Sequence, residues 1–134
     1  MEKGQMKADE TTPQPADVAS IGIAFDASEM LRNVAGNRHI ATVMLKRLLS
    51  DMPVRMQNLE NALASGDARC ATREAHTIKS LAAYAGAAPL RECARGLEQL
   101  CQQGHLEQAT DGLPELQSQI DRVIPEWQAY LAQD

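Results

Sequence analysis

Along residues 38–64, RHIATVMLKRLLSDMPVRMQNLENALA, apolar side chains return every three or four positions. The stripe comprises Val43/Met44, Leu45, Leu48/Leu49, Met52, Met56, Leu59 and Leu63. This spacing puts them on one side of an α-helix and does not fit the two-residue alternation of a half-buried strand. Pro53 falls inside the stretch, where a proline ordinarily kinks or breaks a helix. The stripe keeps its phase across Pro53, which predicts one kinked helix rather than two. A long helix with one apolar side must bury that side, so the chain is constrained to helix-on-helix packing.

The rest of the sequence supplies the partners. DASE at 26–29 is a capping box, with Asp26 as N-cap and Glu29 three residues on. It opens a short helix carrying Met30, Leu31 and Val34 that stops at Gly36. SGD at 65–67 gives a turn and an Asp67 cap for a helix from about Ala68 to Ala85, ended by Gly86. Pro89 suits the first turn of the next helix, which aligns Leu90, Cys93, Leu97, Leu100 and Cys101 and ends at Gly104. A last helix is expected from about Leu106 to Ala132, bent at Pro114 and Pro125. Its stripe is Leu106, Ala109, Leu113, Leu116, Ile120, Val123/Ile124, Trp127 and Leu131.

The chain is 44% hydrophobic but only 3% aromatic, so Leu, Ala, Ile, Val and Met must fill the core, which suits close-packed helices. The expected fold is all-α: an antiparallel up-down four-helix bundle over residues 24–134, with a short additional N-terminal helix as a lid. Residues 1–23 mix Pro, Thr, Gln and charges without a hydrophobic period and read as a disordered leader or linker.

Net charge is −5, which argues against general nucleic-acid binding, but the charge is unevenly spread. Arg69, Arg73, Lys79, Arg91 and Arg95 face only Glu74 and Glu92 over residues 69–95, while residues 96–134 hold seven acids and one base. The basic stretch favours a partner with an acidic site. Cys70, Cys93 and Cys101 form an odd set without CxxC spacing, read as reduced thiols of a cytoplasmic protein, with Cys93 and Cys101 buried. The charged start MEKGQMKADE predicts no signal peptide, and the longest apolar run, LAAYAGAAPL, is too short to insert in a membrane.

Within EAHTIKSLAAYAG (74–86) one histidine stands among small residues. On a wheel of about 100° per residue centred on Ile78, the apolar positions Ala71, Ala75, Leu81, Ala82 and Ala85 fall within roughly 60° of the centre. His76 lies roughly 160° away and points outward, together with Arg69, Thr72, Arg73, Ser80 and Ala83. A solvated histidine without a role would also lie there. Small neighbours leave this one open to a flat partner surface, and Lys79, three residues on, puts a cation beside anything attached to the ring. Glu98, on the flank of the following helix, could reach His76, accept its Nδ1 proton and leave Nε2 free as a nucleophile. Glu98 could equally be a plain solvated acid.

At these residues the chain resembles the histidine-containing phosphotransfer (HPt) domain family of multistep two-component signalling. The family pattern of Ala-His-x-x-Lys-Gly, a glycine, and a Leu-Glu/Gln pair reads here as Ala75-His76-Thr77-Ile78-Lys79-Ser80, Gly86, Leu90 and Leu97-Glu98. Phe25, the helix with internal Pro53 and LENALASGD (59–67) are also similar, so the resemblance spans about residues 24 to 132. Ser80 departs from the usual glycine but is still small. The resemblance implies His76 as phosphoryl acceptor, Lys79 as the phosphate-facing cation and Glu98 as the residue orienting the ring. It also implies receiver domains of response regulators as partners, docking on Thr72, Arg73, Ser80 and Ala83. Magnesium would sit in the receiver and no cofactor in this chain. The domain would be a monomeric phosphohistidine carrier rather than an enzyme, free-standing or as the C-terminal part of a hybrid sensor kinase.

Other chemistries fit less well. A carboxylate-bridged di-metal bundle needs Glu-x-x-His, and none of His39, His76 and His105 has a Glu three residues before it. No metal site is expected. His39 and His105 fall at helix starts and read as solvated or capping residues. There is no glycine-rich nucleotide loop. A histidine-kinase dimerisation bundle also presents a helical histidine, but one usually followed by an acid, where Thr77 stands here. The remaining alternative is an interaction bundle without phosphotransfer.

Overall fold

The structure is a computed structural model that describes residues 23–133. Except for Ile23, the segment read as a leader lies outside the described residues. Six helices follow in order: α1 (Ala27–Asn33), α2 (Arg38–Ala64), α3 (Ala68–Tyr84), α4 (Ala88–Gln102), α5 (Leu106–Asp111) and α6 (Leu113–Ala132). Among the described residues there is no strand. Three helices begin where a short polar side chain satisfies an orphan amide. Asp26 accepts from the Glu29 amide at 3.1 Å, Asn37 from Ile40 at 3.0 Å and Asp67 from Cys70 at 3.0 Å. α2 runs through Pro53 as one helix.

The four long helices form a ring of antiparallel neighbours: α2 on α3, α3 on α4, α4 on α6 and α6 back on α2. The closest-packed pair is α3 and α4, where the buried side chains include Ala71, Ala75, Ala82 and Ala94, small enough to let two backbones approach. Leu45, Leu48, Met52, Leu59, Ile78, Leu90, Leu116, Ile120 and Trp127 fill the interior. Trp127 is fully enclosed and donates its indole N–H to the Ala85 carbonyl at 3.3 Å, so its one polar atom is satisfied.

Two expectations change. The helix expected over 106–132 is two helices divided at Gly112. Pro114 has no N–H to return to Thr110 and its ring would crowd that carbonyl, which favours ending the first ladder here. The Gly112 amide closes α5 on the Gln108 and Ala109 carbonyls, and Pro114 then sits in the first turn of α6. Val43, grouped with the α2 stripe, is 55% exposed, because Leu45, Leu48 and Met52 set a buried arc from which Val43 points away.

α1 closes one end of the bundle. Met30 is fully buried, and the Asp26 amide donates to the Gly86 carbonyl at 2.8 Å. The Asn33 side-chain amide donates to the Ala83 and Tyr84 carbonyls at 3.2 and 3.1 Å, satisfying free carbonyls at the end of α3.

Cys93 and Cys101 are buried and Cys70 half-buried, all three as free thiols. Burial pushes the Cys93 thiol up to about 12, with the Glu115 charge adding to it, and burial next to Glu98 also raises Cys101. Thiolate is the reactive form. In the native protein a disulfide reagent should therefore label Cys93 and Cys101 only as fast as the bundle opens. Rapid modification of both in a protein that keeps its helical spectrum would contradict this packing.

Candidate functional site

The site straddles the α3–α4 pair. His76 and Lys79 are one turn apart on α3, and the antiparallel register of α4 brings Glu98 opposite them. His76 Nδ1 lies 2.8 Å from Glu98 Oε2, and Lys79 Nζ lies 2.6 Å from Glu98 Oε1. One carboxylate thus engages both α3 side chains. The three groups differ sharply in exposure: side-chain accessibility is 56% for His76, 27% for Lys79 and 10% for Glu98.

Burial pushes the Glu98 carboxyl up, but hydrogen bonds and charge from Lys79 and His76 outweigh it and hold the group below its ordinary value. An ionised carboxylate only accepts, so the proton between Glu98 and the imidazole sits on Nδ1. In the neutral ring Nε2 then carries the lone pair, on the exposed edge. The arrangement provides an oriented, accessible imidazole nucleophile with a negative charge behind it.

The depressed carboxyl also links the site to stability. The unfolded chain protonates Glu98 near its ordinary value of about 4.3, and the folded chain does so only at lower pH. Stability from this group is present in full above the unfolded value and is lost as pH falls through the folded one. Chemical unfolding of wild type and Glu98→Gln from about pH 6 to about pH 3 should show a shallower decline in the variant. Parallel declines would mean that the carboxyl is not held by Lys79 and His76.

Of the expected docking residues, Arg73 is exposed, while Thr72, Ser80 and Ala83 are half-buried. The Thr72 hydroxyl donates to its own helix at the Ala68 carbonyl, 2.7 Å away. Ala83 is less open than the wheel of α3 predicts, because α1 reaches its carbonyl through Asn33. His39 and His105 are exposed; Asn37, not His39, caps α2, and His105 makes no side-chain cap bond.

Sequence reasoning places Arg69 on the outward face of the histidine helix and Cys101 on an apolar stripe, but assigns neither, nor Gln102, to the site. With Thr72 and Arg73 they line an open groove of about 740 Å³ that has His76 and Glu98 at one end. Positions 98, 101 and 102 share one face of α4, and only the register of α3 against α4 reveals that they meet 69, 72 and 73. The buried Glu74 was also unforeseen; its carboxylate pairs with Arg55 of α2 at 3.3 Å and ties α3 to α2 away from the groove. Among the described residues no group of three or more His, Cys, Asp or Glu could hold a metal ion, and no helix is long and apolar enough to cross a membrane.

Comparison with known proteins agrees with this architecture. The crystal structure of the HPT domain from the Hpt sensor hybrid histidine kinase from Shewanella is similar with a TM-score of 0.72. The alignment covers 88% of this chain and 98% of that one at 19% identity, a likeness of fold. No curated protein sequence matches significantly. The family model of the Hpt domain matches residues 43–126, well over half of the chain and inclusive of α3 and α4. The chain belongs to the Hpt domain family, the histidine phosphotransfer domains of phosphorelay signalling.

Proposed function

We propose that His76 is the phosphoryl acceptor and that the domain relays phosphoryl groups between aspartates of receiver domains. The observation that carries this reading is the 2.8 Å contact of His76 Nδ1 with Glu98, which in the neutral ring would place the lone pair on Nε2 at the exposed side. A receiver bearing an aspartyl phosphate docks over the α3–α4 face. Nε2 attacks phosphorus in line; the P–Nε2 bond forms as the P–O bond to the aspartate breaks, and the aspartate carboxylate leaves. No proton has to move, because Nε2 attacks with its lone pair and Nδ1 keeps its hydrogen. Positive charge grows on the ring as the bond forms, and the Glu98 carboxylate stabilises it. Lys79, a three-donor cation, can keep one proton on Glu98 and turn another toward the transferred oxygens. The same steps in reverse pass the group to a second receiver.

In this reading the chain holds no cofactor of its own. Magnesium belongs to the acidic site of the receiver, and the domain acts as a monomeric carrier in the cytoplasm. A hybrid sensor kinase is one source of such a receiver. The test is incubation with phosphorylated receivers, followed by peptide mapping without exposure to acid, with a parallel sample treated with acid to score the lability of the label. Acid-labile label confined to the peptide containing His76 is expected; acid-stable label, or label elsewhere, would overturn the reading.

A further inference from the structure

α3 and α4 carry five basic side chains, and three are already paired. Lys79 is held by Glu98 at 2.6 Å, while Arg91 and Arg95 grip Glu92 at 3.2 and 2.7 Å. Those contacts, working against burial, hold the Glu92 carboxyl below its ordinary value. Arg69 and Arg73 have no side-chain partner, are exposed, and both line the groove that ends at His76. Two uncommitted guanidinium groups therefore stand on one side of the histidine, whereas Lys79, Arg91 and Arg95 on the other side are each held by a carboxylate, Glu98 or Glu92.

We infer that the groove on the N-terminal side of His76 seats the acidic surface of the phosphoryl-donating receiver, with Arg69 and Arg73 as the residues that select and orient it. This rests on the reading of His76 as acceptor. Any aspartyl-phosphate donor brings an anionic group and its carboxylate surroundings to His76, and among the described basic residues of α3 and α4 those without a carboxylate partner, Arg69 and Arg73, lie on the groove side. Along the helix Arg73 is about 4.5 Å from His76 and Arg69 about 10.5 Å. Both fall within or near the screening length of about 8 Å at physiological salt, so their attraction is strong at low ionic strength and fades as salt rises. Guanidinium forks also favour paired contact with carboxylates, which fixes orientation as well as affinity. Exposed charges of this kind govern encounter rather than the chemical step.

The test uses Arg69→Glu, Arg73→Glu and Arg73→Lys, with Lys46→Glu on the exposed side of α2 as a control for net charge. Each is phosphorylated by the receiver that labels wild type fastest, and separately by phosphoramidate, a small donor without a protein surface. With subsaturating receiver, both Arg→Glu variants should label at least tenfold more slowly and lose most of the salt dependence of wild type. Saturating receiver should largely restore their rate, Arg73→Lys should keep most of it, and Lys46→Glu should stay within twofold. Phosphoramidate should label all variants within twofold of wild type. Unchanged receiver-dependent rates in the Arg→Glu variants would overturn the groove as the docking seat. An equal loss with both donors would also overturn it, placing the arginines on the phosphoryl group instead. A wild-type protein labelled at His76 by neither donor would bring down the acceptor reading, and the groove proposal with it.

Discussion

His76→Gln should abolish phosphoryl uptake and leave the bundle intact. The imidazole is more than half exposed and its one side-chain bond is to Glu98. A glutamine amide can donate to the same carboxylate, so Glu98 keeps a partner and Lys79 keeps its ion pair. The change in stability should stay within the roughly ±0.5 kcal/mol of exposed substitutions. The amide nitrogen, however, has no available lone pair to attack phosphorus. Labelling by any phospho-receiver should fall by at least about a thousandfold, a rise of about 4 kcal/mol in the barrier. Thermal melting by circular dichroism and acid-labile labelling together make the check. Residual labelling near the wild-type rate would move the acceptor to another residue.

The largest effect on folding should come from Gly86→Ala, at the turn where α1 is fastened to the α3–α4 connection. Gly86 has φ +71°, a left-handed conformation that costs a residue with a Cβ roughly 1–2 kcal/mol. A Cβ there would also lie 2.3 Å from the Asp26 carbonyl oxygen, a backbone atom that cannot swing aside. Relief requires α1 to lift, which breaks the Asp26–Gly86 hydrogen bond and unseats the fully buried Met30. Together these should cost at least about 3 kcal/mol, in the range reserved for strained backbone and lost core packing. Denaturant unfolding measures it directly. Gly66→Ala is the matched comparison, since Gly66 has a similar φ of +76° but nothing within 4 Å of the added Cβ. Equal losses in the two variants would show that α1 is not clamped to Gly86.

The contrast between these two glycines marks what the sequence makes legible. From position alone Gly86 reads as a helix stop and Gly66 as part of a turn between helices, places where a left-handed residue favours glycine. That Gly86 also touches α1 is a tertiary fact with no local signal. The same division holds for the helices. Three-to-four spacing and the caps at Asp26 and Asp67 define α1 to α4 closely, since they depend on near neighbours. The break at Gly112 was hidden, because Pro114 is as compatible with a bend inside a helix as with the first turn of a new one. At the site, the wheel of α3 places His76 outward and the wheel of α4 puts Glu98 on a flank. Neither gives the register that sets them 2.8 Å apart, nor the pairing of Lys79 with the second carboxylate oxygen. The groove was the least visible feature, because it consists of the gap between two helices rather than a pattern along either one.

The central claim is that Glu98 holds the proton of His76 on Nδ1 so that Nε2 takes the phosphoryl group. Long-range proton–nitrogen NMR on nitrogen-15-labelled protein, recorded before and after transfer from a phospho-receiver, tests it at the atoms concerned. Before transfer the His76 ring should show a protonated Nδ1 and an unprotonated Nε2. After transfer the phosphorus coupling should appear at Nε2 of His76, with Nδ1 still protonated and His39 and His105 unchanged. A resting ring protonated on Nε2, or phosphorus attached to Nδ1 or to another histidine, would contradict the account.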